Sequence, residues 1–400
     1  MLKLNPNYRA NPARAIFVQG RIEQQLIERL TPQIIKLQGQ SREPITVYIN
    51  SPGGSTSHAD ALTKLLLASD QDYSPSCRLV TVVTGRAASA AADLLCAGSY
   101  ALAYPDSIVF FHGVRNLADG PITETDASEM MESMRHSNER YALALADKSL
   151  SRFGFRYISQ RAKFAEYRTR IQKPDRTDLL CFVGIIREHL SRDAIAAVDR
   201  ALDRNQRYVH ITQYVGQRVA KKRRVNAPQR AAEPEAEIIK AIVDYELLKN
   251  KKNPSWSFSA GGLRQLTLDF LLVREYLNIY DSAHLKQFCD LFGDYLLTPA
   301  ELHEFSAIEN EAERAFSRNE KIKSILRPLW LFFIALCYAL QETDNELTAA
   351  DAFWLGLIDE VVGRQDLSPE RLTLEAAPDG QIELALGTGG MVPTEPIPTQ

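Results

Sequence analysis

Leu79-Val80-Thr81-Val82-Val83-Thr84-Gly85-Arg86-Ala87-Ala88-Ser89-Ala90-Ala91-Ala92 changes character half-way along. Its first six residues are aliphatic or β-branched and read as a strand. A glycine follows, then a block of small helix formers, so the order is strand, tight turn, helix. Ser89 falls at the helix start. There the unpaired backbone N–H groups and the positive end of the helix dipole favour negative charge. The flanking alanines let the turn pack against a sheet while leaving space in front of the serine. The bland reading of such a serine is a helix cap, and the stretch alone does not exceed it.

Working outward, Ala15-Ile16-Phe17-Val18 and Gln19-Gly20 read as a first short strand and turn. Ile22, Leu26, Leu30, Ile34 and Leu37 then recur at near-helical spacing, with Pro32 expected to kink the helix. Ile45 to Asn50 is a second strand, stopped by Ser51-Pro52-Gly53-Gly54, and a helix is expected from Ser55 to Leu67. After the Ser89 helix, a hairpin-like segment leads to Ser107-Ile108-Val109-Phe110-Phe111-His112. The β-α-β-α-β-α order predicts an α/β fold with a largely parallel sheet. In such sheets functional groups gather beyond the carboxyl ends of the strands, where Gly53-Gly54, Ser89 and His112 all lie. A glycine turn and the N–H of Ala90 could polarise a carbonyl there, and His112 could take the serine proton.

The composition narrows the class. The chain has 400 residues, a net charge of −3 and both signs mixed, which argues against a global affinity for nucleic acid or anionic membranes. Cys77, Cys96, Cys181, Cys289 and Cys337 are odd in number and scattered, as in a reduced cytoplasmic protein rather than a disulfide framework. Neither they nor the histidines show metal-ligand spacing, so no metal or cofactor is expected. The N-terminus lacks the apolar core of a secretory signal, and the apolar run from Leu329 to Leu340 is short for a bilayer span and predicts a buried helix.

The segments Val47 to Gly54, Gly85 to Ser89, Leu94-Leu95-Cys96-Ala97-Gly98 and Pro105 to His112 stand in the order found in the proteolytic subunit of the Clp protease, which they resemble. Asp344-Asn345-Glu346-Leu347-Thr348-Ala349 and the later Gly356-Leu357-Ile358-Asp359 are similar to the family segment that carries its third catalytic residue. The resemblance implies the β-α-β superhelix shared by ClpP and crotonases. It also implies a serine endopeptidase in which Ser89 is the nucleophile, His112 the general base and Asp344 the orienting carboxylate. Gly54 and Ala90 match the backbone donors of the oxyanion hole. Asp351, Asp359, Glu342 and Glu346 are rival carboxylates nearby, for which structural or solvated roles are expected. The implied partners are a protein or peptide substrate, further copies of the chain, and a Clp-type ATPase unfoldase.

The resemblance divides the chain into a first core part (1–150), a mostly helical insertion (151–328), a second core part (329–364) and a tail (365–400). The family's long helix is expected from Thr123 to Leu150, with Thr123 and Asp126 as a capping box and Met130, Met134, Tyr141 and Leu145 as its stripe. Within the insertion, Leu179–Leu202, Glu235–Leu248, Leu263–Leu277 and Ala300–Leu326 carry helical spacing. Its basic run Lys221-Lys222-Arg223-Arg224 lacks interleaved aromatics and predicts a solvated face. The short segment before the first strand bears against the family's ATPase docking. The insertion, placed after its ring-stacking helix, bears against its double ring. Ala90 and Gly113-Val114 also differ from the family's usual residues. Two other classes fit the same fold: a non-catalytic assembly subunit, and a crotonase-type acyl-CoA enzyme, which needs no serine, histidine and aspartate set.

Overall fold

A computed structural model describes residues 9–68, 77–115, 120–205 and 296–368. The chain divides into two compact units, one of Met1–Ala197 with Leu340–Gln400 and the other of Val198–Ala339.

The first unit is a seven-stranded sheet wrapped by helices, the α/β architecture expected. Strands β1 (Ala15–Gln19), β2 (Ile45–Ser51), β3 (Leu79–Ala88) and β4 (Tyr100–Ala103) lie side by side and parallel. β7 (Glu360–Val361) extends that row from β4. β5 (Ile108–Phe111) also pairs with β3, and β6 (Asn345–Thr348) pairs antiparallel with β5. The helices are α1 (Gln24–Gln40), α2 (Thr56–Leu66), α3 (Ala90–Cys96), α4 (Glu124–Gln160), α5 (Phe164–Arg170) and α6 (Asp178–Arg187).

The strand at the centre differs from its sequence reading. β3 does not turn at Gly85 but runs on to Ala88. It changes partner as it goes: Val80–Val83 pair with β4, and Arg86–Ala88 pair with β5. Gly85 serves a close approach, since a Cβ there would stand 3.0 Å from Asn50 Oδ1, which also accepts from the Arg86 N–H at 3.2 Å. β4 and β5 consequently both lie on β3 and do not form the expected hairpin with each other.

Helix α1 begins at Gln24, and Ile22 instead bridges to Gly54. Pro32 lies inside the helix, and Leu26, Leu30 and Ile34 form its buried face. In α2 the Ser55 hydroxyl caps the His58 N–H. The α4 capping box of Thr123 and Asp126 is present in both directions. α4 runs ten residues past the expected Leu150, and this extension is its most buried part, including Phe153, Phe155 and Tyr157. Burial there outweighs the two arginines that interrupt the apolar pattern, because both are paired.

Arg152 donates to Asp359 Oδ2 at 2.8 Å, to Gly98 O at 2.7 Å and to Cys96 O at 3.2 Å. Arg156 donates to Ile358 O at 2.6 Å and lies over the Phe353 ring at 4.0 Å. Burial pushes the Arg156 guanidinium down to about 9. These contacts fasten the segment around 357–359 to α3 and α4, so chain parts far apart in sequence close into one unit.

In the second unit α7 (Pro299–Ser306) and most of α8 (Glu311–Glu342) are described. They are separated near Asn310, where a single helix over Ala300–Leu326 was expected. Among the described residues α8 is the one helix long and apolar enough to cross a membrane by length and composition, and most of its apolar stretch is buried. Lys221–Arg224, the helices expected over 235–248 and 263–277, Cys289 and the end of the tail fall outside the described residues. Cys77, Cys96, Cys181 and Cys337 are buried and form no disulfide.

Candidate active site

Ser89 joins β3 directly to α3, with no residue spare for a loop. Its backbone therefore bends sharply, to φ 55° and ψ −130°, a region that costs a residue with a Cβ on the order of 1–3 kcal/mol. The Ser89 N–H donates to Phe110 O at 2.7 Å, and its carbonyl accepts from Ala92 N–H at 2.8 Å. The hydroxyl makes no capping bond to α3. The bland reading of Ser89 as an N-cap thus fails on geometry: the residue occupies the cap position while its side chain is released from it. A strained serine turning a strand into a helix, with its hydroxyl not spent on capping, is the arrangement that presents a nucleophile.

Two backbone donors flank it. Ala90 is the first residue of α3 and has no carbonyl a turn behind it to bind. Gly54 is fixed from the other side. Ile22 N–H donates to Gly53 O and Ser55 N–H donates to Ile22 O, both at 2.9 Å, which turns Gly54's own N–H to the opposite edge, where β3 lies. No side chain fits at either glycine. A Cβ on Gly54 would stand 2.3 Å from Ile22 O, and one on Gly53, whose φ is +88°, would stand 2.7 Å from Ser89 Cβ. The Ser51 hydroxyl braces the turn, donating to Gly20 O at 2.6 Å and accepting from Gly53 N–H at 3.1 Å.

His112 follows β5 and Asp344 precedes β6. The last pair of that antiparallel ladder is Phe111 with Asn345, so the register brings residues 112 and 344 to the same end of it. Asn345 is buried and its amide donates to Leu340 O and Thr343 O, which fixes the turn before β6. Gly113 fits where a Cβ would meet Gln341 O at 2.8 Å, and Val114 N–H donates to Asn138 Oδ1 of α4 at 2.7 Å. The histidine loop is thereby held without the residues that the resemblance would place there.

The side chains do not close into a relay. His112 Nδ1 lies 2.6 Å from Gly113 O, and Asp344 is paired with Arg115. Both partners of that ion pair are 63% exposed. A carbonyl can only accept, so the imidazole Nδ1 carries the hydrogen and Nε2 keeps its lone pair, the tautomer that a base toward serine requires. The structure thus brings Ser89, His112, Gly54, Ala90 and Asp344 to one end of the sheet by backbone pairing, and leaves Asp344 unlinked to His112.

Two of the rival carboxylates, Asp351 and Asp359, are engaged elsewhere. Asp351 is buried, caps the helix α9 (Ala349–Trp354) through Thr348 and accepts from Ser191 N–H at 2.7 Å. Asp359 holds Arg152 and the Ala101 N–H. The sequence reading missed Arg115 and also Asp93, a carboxyl one helical turn after Ser89 whose Oδ1 accepts from Gln341 Nε2 at 2.9 Å. Its signal was an acid within the otherwise apolar block Ala90–Cys96. Among the described residues no cluster of ligands could hold a metal ion.

The sheet with its covering helices fits the α/β fold of the Clp protease proteolytic subunit. Comparison with known proteins agrees. Residues 5–153 match the family model of the Clp protease. The chain is 30% identical over 122 residues to the ATP-dependent Clp protease proteolytic subunit of Carsonella ruddii (strain PV), covering 30% of this chain and 60% of that protein. It is 32% identical over 131 residues to the ATP-dependent Clp protease proteolytic subunit 1 of Rhodopirellula baltica (strain DSM 10527 / NCIMB 13988 / SH1), covering 32% of this chain and 55% of that protein. The chain therefore spans little more than half the length of these relatives, and the family match holds Ser89 and His112 but ends before Asp344.

Proposed function

We propose that this chain is a serine peptidase acting on protein or peptide substrates. The observation that carries the reading is Ser89 itself: strained at the strand–helix junction, its hydroxyl not spent on capping, between the N–H groups of Ala90 and Gly54. Ser89 Oγ attacks the scissile carbonyl as His112 Nε2 accepts its proton. The oxyanion is met by those two N–H groups, and the protonated imidazole then delivers the proton to the leaving amine. Water reverses the sequence to release the acyl group. Asp344 supports the imidazolium once it leaves Arg115, and the exposed pair it must break is worth at most about 1 kcal/mol. Assembly with further copies of the chain belongs to the same reading.

A fluorophosphonate probe tests it. Labelling at Ser89, absent from Ser89→Ala, is the expected result, with peptidase turnover falling by on the order of 10⁶ in that variant. Absence of labelling would favour the second reading, a non-catalytic subunit, which draws its support from the engagement of His112 Nδ1 and Asp344 away from each other.

A further inference from the structure

A cavity of about 160 Å³ lies among three helices of the first unit. α2 presents its face from Thr56 to Thr63, α3 from Ala90 to Ala97 and α4 from Tyr141 to Lys148, each at the i, i+3, i+4, i+7 spacing that aligns one side of a helix. One end of the cavity is therefore marked by Ala90, the neighbour of Ser89. Ala59, Ala90, Ala97, Ala144, Leu94 and Leu145 form its apolar walls.

Asp93 breaks that apolar lining. It shares the α3 face with Ala90, and its side-chain partner among the described residues is the neutral amide of Gln341. The other titratable groups around the cavity are Asp60 from α2, Cys96 on α3, and Tyr141 and Lys148 from α4. Asp60, in the cavity wall, accepts from the Tyr141 hydroxyl at 3.3 Å and lies 3.4 Å from Arg140, which does not line the cavity, and Lys148 is exposed. Burial pushes the Asp93 carboxyl up to about 7, with the Asp60 charge adding to the rise and the Gln341 bond opposing it. A half-buried carboxyl beside alanine and leucine side chains, with a neutral amide as its partner, gains most from a cation that brings its own apolar stem.

We propose that this cavity receives the substrate side chain on the acyl side of the scissile bond and selects a long cationic one, its methylenes against the alanine and leucine walls and its ammonium on Asp93. The volume holds about five water-sized groups, which matches the five heavy atoms of a lysine side chain. This rests on the peptidase reading above.

The test uses the full chain and two peptidyl phosphonate probes that differ only in lysine or leucine at the reacting position. The lysine probe is expected to label Ser89 about 30-fold faster or more, and Asp93→Asn to abolish that ratio. The ratio in the unaltered chain is expected to rise with pH through about 7 as Asp93 ionises, which decides the point even if Asp93→Asn does not fold. A faster leucine probe, a ratio unchanged in Asp93→Asn, or a ratio flat with pH overturns the pocket assignment and leaves the peptidase standing. Failure of both probes and of the fluorophosphonate overturns both.

Discussion

At the scale of single residues, the site is set by backbone groups more than by side chains. Gly54→Ala places a methyl 2.3 Å from Ile22 O, so the turn must move and carry its N–H with it. Loss of one such donor costs on the order of 10²–10³ in turnover, and the expected signature is reduced kcat for a chain that still folds by circular dichroism. Arg115→Ala acts in the opposite direction: it frees Asp344 and should raise the fluorophosphonate labelling rate, by about fivefold at most, because an exposed ion pair is worth about 1 kcal/mol or less. Asp93 is a charge the fold tolerates at a cost. Its carboxyl titrates at about 7 in the folded chain, above the ordinary value of 3.8, so the folded state holds that proton more tightly than the unfolded chain does. Stability from this group is full below about pH 4 and falls as pH rises toward 7. Asp93→Asn should therefore be more stable than the parent at pH 8 in urea titration, by up to about 4 kcal/mol, and the difference should vanish near pH 4.

At the scale of elements, the sequence was informative where one local rule governed. The strands β1 and β2, the Thr123 capping box and the stripe of α1 were all visible in spacing and turn chemistry. β3 was not, because its second half is a strand only by virtue of a partner. Gly85-Arg86-Ala87-Ala88 has the composition of a turn and helix start, yet it pairs with β5 and is held from the other side by Asn50. Tertiary pairing overrode propensity there, as it also did at the end of α4, where Arg152 and Arg156 made a buried segment look polar. Motif order singled out Ser89, His112 and Asp344, and strand pairing brings the three to one end of the sheet. Where their side chains point was not, since the engagement of His112 with Gly113 O and of Asp344 with Arg115 depends on loop geometry that no spacing encodes.

At the scale of the whole molecule, the first unit is assembled from two stretches of chain that the second unit separates, and Arg152 is one of the bonds between them. It contacts Asp359 on the later stretch and Cys96 O and Gly98 O on the earlier one. Arg152→Met leaves the Asp359 carboxylate without its partner, which is expected to destabilise the fold by about 3–5 kcal/mol in urea titration. Because the same stretch supplies β6 and the turn of Asp344, the variant should lose reactivity at Ser89 in step with its loss of structure and not independently of it.

The bend at Ser89 has an evolutionary consequence. Its φ of 55° burdens any residue with a Cβ, so alanine there keeps the strain while removing the hydroxyl, and glycine removes both. Ser89→Gly should then be inert and yet melt higher than either. A lineage of this chain released from selection on its chemistry would drift toward glycine at that position, and a serine retained there against the gradient is a trace of continued use.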